Sequence, residues 1–427
     1  MKAVEVVPSG PVRATLRAPA SKSITNRLLV IAALAEGCSL LRQPLDSDDT
    51  RAMRDAAVAL GASVEDTLEG WRVSGTRGWL RTPVEAIDAR LSGTTLRFAT
   101  AMAALAGGRV TITGAPPLLC RPIGPLVAAL QTLGANVRDK DGLPPVWVER
   151  GGLKGGEVEV DVSRSSQFAS AVLLVAPYSV QGVTMRVAGT GAMEYVDLTC
   201  QLMRRWGAAV IGHAGSWGIA PDQPYRARDE TVEYDASAAA HLFALAAATG
   251  GEMTVVNAIA GTRQPDAGVP TVLEQMGCAV TRHGDALTVT GPPRLRPVDI
   301  DLQTMPDQIT TLACLAALAE GTSLIRGVAV TRGHETDRLA ALAHELRKLG
   351  VAVTELPDGL VITGGVRGSA DGPVRLSTYD DHRLAMAFAA IGARAGGVVV
   401  EEPWCVTKTY PDFWHDLSQA GVSWRNA

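Results

Sequence analysis

Long apolar runs, paired cysteines and an excess of basic charge are missing from this 427-residue sequence, and aromatic residues are scarce. Each absence closes off a class of protein. No apolar stretch reaches the eighteen or so residues that a membrane-spanning helix needs. The richest, FASAVLLVAPYSV (168–180), holds Ser170 and breaks at Pro177. The opening MKAVEVVPSGPVRA has no apolar segment followed by a small-residue cleavage site, so no secretory leader is expected. Six cysteines (38, 120, 200, 278, 314, 405) form no CxxC pair, which fits buried free thiols in a reducing cytoplasm better than zinc or disulfides. Lys and Arg number 40 against 44 Asp and Glu, a net charge of −4, so no global basic field suggests nucleic acid. Aromatics are only 4%, while 47% of residues are hydrophobic and 20% charged, which excludes disorder. Glycine and proline together, at about 16%, are too few for low complexity. The chain is long enough for two or three domains. Its apolar mass is mostly Ala, Val and Leu, which suits helices packed closely against sheets.

What the chain does contain is a repeat. A helix-like segment ending in Gly and running into a short β-branched stretch recurs as AVALGASVE (57–65), AALQTLGANV (128–137), QLMRRWGAAV (201–210), VLEQMGCAV (272–280), HELRKLGVAV (344–353) and DLSQAGVSW (416–424). The shared glycines, Gly61, Gly134, Gly207, Gly277, Gly350 and Gly421, lie 73, 73, 70, 73 and 71 residues apart. A glycine just past a helical pattern supplies the left-handed residue that closes the helix. The period exceeds that of solenoid repeats, so each copy reads as a βαβ-type unit with two helices. A second set of helices, out of phase with the first, is Ala-rich and apolar nearly all round: 24–37, 94–108, 166–177, 238–251, 309–321 and 383–397. These should be interior. The helices of the first set carry charges such as Arg204, Arg205, Glu345, Arg347 and Lys348 and should lie outside. Six units divide as three plus three, with the break near VEYDAS (232–237) and the stretch APDQPYRARDE (220–230) reading as linker. The expectation is an α/β chain of two similar domains with buried helices.

Chemistry collects at the starts of the interior helices: SKSITNR (21–27), SGTTLR (92–97), SRSSQ (163–167), DASAA (235–239), MPDQ (305–308) and TYDDHR (378–383). Ser, Thr and Asp there are N-cap residues. A helix start is also an anion site, through its free N–H groups and the positive end of its dipole. Four of the six starts carry more than a cap requires. Lys22 and Arg27 follow Ser21, Arg97 follows Thr94, and Arg383 follows Asp381; Arg121, Arg338 and Lys408 precede outer helices at corresponding places. Cations at equivalent ends of repeated units point to a small, heavily anionic ligand carrying phosphate and carboxylate groups, in a protein that is acidic overall. Asp307 and Glu335 stand among these cations. A carboxylate so placed stays ionised and can act as a base or a proton shuttle. There is no zinc spacing and no P-loop, and GTGAM (189–193) lacks the context of a dinucleotide fingerprint, so neither a metal nor a cofactor is expected.

Taken in order, SKSITNRLLVIAALAEG, SGTTLRF, RPIGPLVAALQTLGA, SRSSQF, MPDQ, HETDRL, DDHRLAMAF and TKTYPDF resemble the 5-enolpyruvylshikimate-3-phosphate synthases over essentially the whole chain. The resemblance implies the enolpyruvyl transferase fold, an inside-out α/β barrel of six βαβαββ copies, three per domain. Residues 1–18 with 234–427 would form the phosphoenolpyruvate-side domain and 19–233 the shikimate-phosphate-side domain, with the active site in the cleft between them. It also implies a transferase of aromatic amino-acid biosynthesis, moving the enolpyruvyl group of phosphoenolpyruvate to the 5-hydroxyl of shikimate 3-phosphate and releasing phosphate. On matching positions, Lys22, Ser23, Arg27, Ser165, Ser166, Gln167, Tyr195, Asp307 and His334 would meet shikimate 3-phosphate. Lys22, Gly93, Arg121, Gln167, Arg338, Arg383 and Lys408 would hold phosphoenolpyruvate. Asp307 would take the hydroxyl proton and Glu335 would help protonate the methylene carbon, with Lys22 as third catalytic residue. The partners are these two small molecules, with neither nucleic acid nor membrane, and the chain is expected to act as a cytoplasmic monomer.

The pattern departs from the family at four places. Leu91 replaces an Asn, Ala192 a Ser, Val330 an Asn, and His334 a Lys, a weaker cation at neutral pH. The sister enolpyruvyl transferase acting on UDP-N-acetylglucosamine carries a loop cysteine where this chain has Pro116; Cys120, beside Arg121, reads as packing. A transferase acting on another anionic alcohol, and a non-catalytic anion-binding scaffold, are the remaining alternatives. Asp307 and Glu335 among the cations speak against the scaffold.

Overall fold

The computed structural model describes residues 2–191, 193–213, 215–366 and 372–427. The chain forms two compact units, Met1–Pro19 with Tyr234–Ala427 and Ala20–Glu233, and so passes from one to the other twice. Each repeat contributes an inner and an outer helix. In Ala20–Glu233 these are α1 (Lys22–Leu34) with α2 (Asp48–Ala59), α3 (Gly93–Ala103) with α4 (Gly124–Thr132), and α5 (Gln167–Val175) with α6 (Glu194–Arg205). In the other unit they are α7 (Ala236–Thr249) with α8 (Val269–Gln275), α9 (Ile309–Leu318) with α10 (Arg338–Lys348), and α11 (His382–Ala395) with α12 (Phe413–Gln419).

The inner helices are apolar all round because they are enclosed all round. Every residue of α7 except Ser237 is buried, as is every residue of α9 except Leu318. Alanine at this density gives strong helix propensity and lets helices pack closely. The outer helices bury one face only: α6 hides Val196, Leu198, Leu202 and Met203 and exposes Arg204 and Arg205. Each unit has its own apolar core, one around Leu242, Leu312 and Phe388 and one around Leu28, Phe98 and Phe168. The six register glycines all have positive φ, from 77° at Gly350 to 111° at Gly61, as the closing position of a helix demands.

Among the described residues the strands form six four-stranded sheets. In the third repeat 156–161 runs parallel to 183–188, which is antiparallel to 216–219, which in turn pairs with 210–213. Three sheets borrow a strand from elsewhere in the chain. Strand 230–231 returns to pair with 38–42 of the first repeat; 13–16 pairs with 252–255, and 3–6 is inserted between 398–401 and 424–426.

Two expectations are corrected here. The stretch 220–230 is no linker: Tyr225 is fully buried, its hydroxyl donates to Leu174 O at 2.9 Å, and its N–H donates to Tyr178 Oη at 3.1 Å. The break itself falls between Glu233 and Tyr234, inside the 232–237 stretch. Glu345, read as solvent-facing, is fully buried, because Ser377 N–H (3.0 Å), the Tyr379 hydroxyl (2.8 Å) and Lys348 Nζ (2.7 Å) all donate to it.

Candidate active site

The starts of the inner helices gather at one end of each unit, and the polar chemistry gathers with them. Ser21, Ser92, Asp235 and Asp381 cap α1, α3, α7 and α11, accepting from Ile24, Thr95, Ala238 and Arg383 N–H respectively. Ser166 does not cap α5, contrary to expectation. Its backbone is already helical (φ −66°, ψ −13°) instead of extended, and the neighbouring Ser165 Oγ accepts from Gln167 N–H at 3.2 Å. Asp307 caps nothing either, since its carboxylate is taken up by side chains.

In the unit Ala20–Glu233, several cations stand near the starts of the inner helices. Lys22 Nζ lies 3.2 Å from the buried Asp49 carboxylate on α2, whose backbone carbonyl accepts from Thr95 on α3. Arg27 is 2% exposed and, among the described residues, pairs with no carboxylate. Its guanidinium donates to Thr199 Oγ1 (2.7 Å), Ser23 O (3.0 Å), Ser170 Oγ (3.3 Å) and Tyr195 O (3.4 Å), between the Phe98 and Tyr195 rings. Burial pulls its pKa down to about 10, so it remains charged at neutral pH. Arg97 Nη1 donates to Gln167 Oε1 at 2.8 Å, and Gln167 Nε2 donates to Thr94 Oγ1 at 3.3 Å. Gly93 opens α3 directly beneath two guanidiniums: a Cβ there would stand 2.8 Å from Arg97 Nη1 and 3.0 Å from Arg121 Nη1. Lys22, Arg27, Arg97 and Arg121 against Asp49 leave this end positive, as an anionic ligand requires.

The other unit binds its charges to one another. Arg338, 1% exposed, donates to Asp381 (2.7 and 3.3 Å), Asp307 Oδ1 (2.7 Å) and Glu335 Oε2 (3.0 Å). Arg383 Nη2 donates to Asp307 Oδ2 at 3.1 Å, and Lys408 Nζ donates to Glu335 Oε1 at 2.9 Å. His334 Nδ1 stands 3.1 Å from Asp307 Oδ1 and 3.2 Å from Arg338 Nη1. Burial raises the Asp307 pKa, but Arg383, Arg338 and His334 outweigh it and hold the group well below the carboxylate range. For Arg338, burial disfavours the charge, and Asp381, Asp307 and Glu335 more than restore it. Beneath lies Asp266, 1% exposed and 3.9 Å from Arg383, accepting from Gln308 Nε2 at 2.8 Å and from Ser237 Oγ. Burial pushes its pKa up.

The structure thus joins Asp307, His334, Glu335, Arg338, Arg383 and Lys408 in one network. In the other unit Arg27 is tied to Ser23 and Tyr195, and Gly93 lies against Arg121. Asp49, Thr199, Ser170, Asp266 and Asp381, which support these side chains, escaped the sequence reading as site residues. Only Asp381 carried a signal, its place beside Arg383 at a helix start. Of the four departures, Leu91 is 41% exposed, Val330 is half-buried, and Ala192 lies outside the described residues. Cys120, expected to pack, is exposed, as is Cys38. Among the described residues no helix is long and apolar enough to cross a membrane, and no three His, Cys, Asp or Glu side chains form a metal cage.

The family model described as EPSP synthase (3-phosphoshikimate 1-carboxyvinyltransferase) matches residues 6–417. The 3-phosphoshikimate 1-carboxyvinyltransferase of Methanosphaerula palustris is 42% identical over 422 residues, spanning 97% of this chain and 98% of its own. That of Syntrophobacter fumaroxidans is 42% identical over 424 residues, with the same two shares. In fold the chain is similar to an EPSP synthase from Acinetobacter baumannii, with a TM-score of 0.83 at 24% identity, covering 100% of both chains.

Proposed function

The chain belongs to the EPSP synthase family, and from that premise we propose how its two charged clusters divide the work of the reaction. As a member it is a transferase of the shikimate pathway: it moves the enolpyruvyl group of phosphoenolpyruvate to the 5-hydroxyl of shikimate 3-phosphate and releases phosphate. Shikimate 3-phosphate meets Lys22, Ser23 and Arg27 through its phosphate, with Ser165, Ser166, Gln167, Tyr195 and His334 on its remaining groups. Phosphoenolpyruvate takes Lys22, Arg121 and Gln167 over the close backbone of Gly93, and also Arg338, Arg383 and Lys408. Arg forks grip carboxylate and phosphate bidentately, and Lys supplies point charges.

Asp307 takes the proton of the 5-hydroxyl as its oxygen attacks the enolpyruvyl carbon. The methylene takes a proton from the Lys408 ammonium, passed through Glu335, and returns it by the same route when phosphate departs. The cations stabilise the charge of the tetrahedral adduct, a contribution of about 10²–10³ in kcat per donor. One observation carries this reading: two carboxylates, Asp307 and Glu335, share a single buried guanidinium, Arg338, at 2.7 and 3.0 Å, each with a further cation of its own. The active species is proposed to be a monomer, with a mass near 44.7 kDa in light scattering. A cytoplasmic location accords with six unpaired cysteines.

The test is orthophosphate release by purified protein. Release with both substrates present and with neither alone supports the reading. No release with that pair, but release with phosphoenolpyruvate and UDP-N-acetylglucosamine, moves the assignment to the sister transferase.

A further inference from the structure

A carboxylate clasped by two guanidiniums is a poor place to leave a proton. Asp307 accepts from Arg338 Nη1 on one oxygen (2.7 Å) and from Arg383 Nη2 on the other (3.1 Å). Protonating it weakens both charge-assisted bonds. Its pKa, held far below the usual range by those partners, expresses the same fact. A proton arriving there has to move on.

Within this network the lysine and the arginines are already protonated, and Glu335 is engaged by Arg338 and Lys408. The imidazole is different. His334 Nδ1 lies 3.1 Å from Asp307 Oδ1, within hydrogen-bond reach, and 3.2 Å from Arg338 Nη1. Both of its protonation states are provided for. In the neutral ring the Nδ1 lone pair accepts from Arg338; in the imidazolium Nδ1–H donates to Asp307. The side chain is about a quarter exposed (24%), so the ring can also exchange its proton with solvent between turnovers. Charges near it come from three places: Asp307 and Arg383 across the network, Arg338 and Glu335 beside it, and the Arg332–Asp337 ion pair on its own segment.

We propose that His334 receives, through Asp307, the proton that the substrate hydroxyl loses. The inference rests on the reading of Asp307 as the group facing that hydroxyl. The O–H bond breaks as the new C–O bond forms, and its proton passes to Asp307 Oδ1 and on to His334 Nδ1. The methylene carbon takes a separate proton from the Glu335–Lys408 pair. When the C–O bond to phosphate breaks, the methyl group returns that proton, and His334 gives its own to the departing phosphate. The hydroxyl proton ends on orthophosphate, and the protein is restored.

The role requires a neutral ring at the start of turnover, which fixes the sign of the pH dependence. Wild-type kcat, at saturating substrates, therefore falls as the solution is made more acidic. Substrate phosphates also gain protons in the acid range, so the variants decide. His334→Asn is expected to lose at least tenfold in kcat at pH 7.5 and to lose the acid limb. His334→Lys, a cation that cannot accept, does not recover kcat. An acid limb unchanged in both variants, or a lysine variant that matches wild type at pH 7, overturns the proposal, the second by making position 334 merely a positive charge. If wild-type protein releases no phosphate from the pair at any pH, the underlying assignment fails first, a result distinct from either.

Discussion

Replacing Gly93 by alanine puts one methyl group between the first turn of α3 and two guanidiniums. The new Cβ stands 2.8 Å from Arg97 Nη1 and 3.0 Å from Arg121 Nη1, distances at which something must shift. Arg97 is held by Gln167 Oε1 at 2.8 Å and lies over the Phe168 ring at 5.2 Å, and the methyl group displaces the tips of both guanidiniums. Both contacts are with the tips of long side chains, and alanine is a better helix former than glycine. Folding stability should therefore change by less than about 1 kcal/mol. The loss falls on the ligand. A hydrogen bond between charged groups contributes about 1.5–3 kcal/mol. Displacing Arg121 from phosphoenolpyruvate should then raise its KM by about 10- to 150-fold, while the KM for shikimate 3-phosphate moves less than about threefold. Initial rates of phosphate release, varying each substrate in turn, measure both, with thermal unfolding as control. A Gly93→Ala protein with wild-type melting and a phosphoenolpyruvate KM within twofold would refute the placing of Arg121 over that substrate.

Three further changes probe the supports. Thr199→Val removes the acceptor 2.7 Å from Arg27 Nε and should raise the KM for shikimate 3-phosphate by about 5- to 30-fold, for a lost bond of about 1–2 kcal/mol; steady-state kinetics checks it. Asp381→Ala leaves Arg338 without its fully buried partner and α11 without its cap, and urea unfolding should show a loss of about 3–5 kcal/mol. His241 lies buried on α7 with its pKa lowered to about 3, by burial first and then by Arg383 and Arg338. A depressed folded pKa means that its stabilising effect is complete above pH 6.5 and lost as pH falls towards 3, at about 1.4 kcal/mol per pH unit. Denaturant midpoints of His241→Gln between pH 6.5 and 4 should fall less steeply with acid than those of wild type.

Local rules made most of the architecture legible. The Gly61-to-Gly421 comb marks six helix ends because that closing position needs positive φ, and the Ala-rich segments are buried because nothing in them requires water. The candidate cations stood out in the sequence because repetition placed Lys22, Arg121, Arg338, Arg383 and Lys408 at helix starts or before outer helices. Partners distant in sequence were not. Asp266 in QPDAG looks like a turn residue until folding sets it behind Arg383, and Glu345 looks solvent-facing until Ser377 and Tyr379 close over it. The charges of 220–230 suggested a linker, yet Tyr225, Arg228 and Asp229 anchor the segment to the rest of its unit. Ser166 had the right residue type for a cap but the wrong backbone angles.

Proton NMR of a single reaction mixture bears most directly on the claim that the charged clusters of the two units serve one group transfer. With phosphoenolpyruvate, shikimate 3-phosphate and catalytic protein, a new pair of vinyl signals from an enol ether should grow in step with orthophosphate, one for one. With Asp307→Asn in place of wild type, neither should appear at a comparable rate. Orthophosphate without the new vinyl pair would make the chain a phosphatase, and an unchanged rate from the Asp307→Asn protein would remove the acid from the centre of the chemistry.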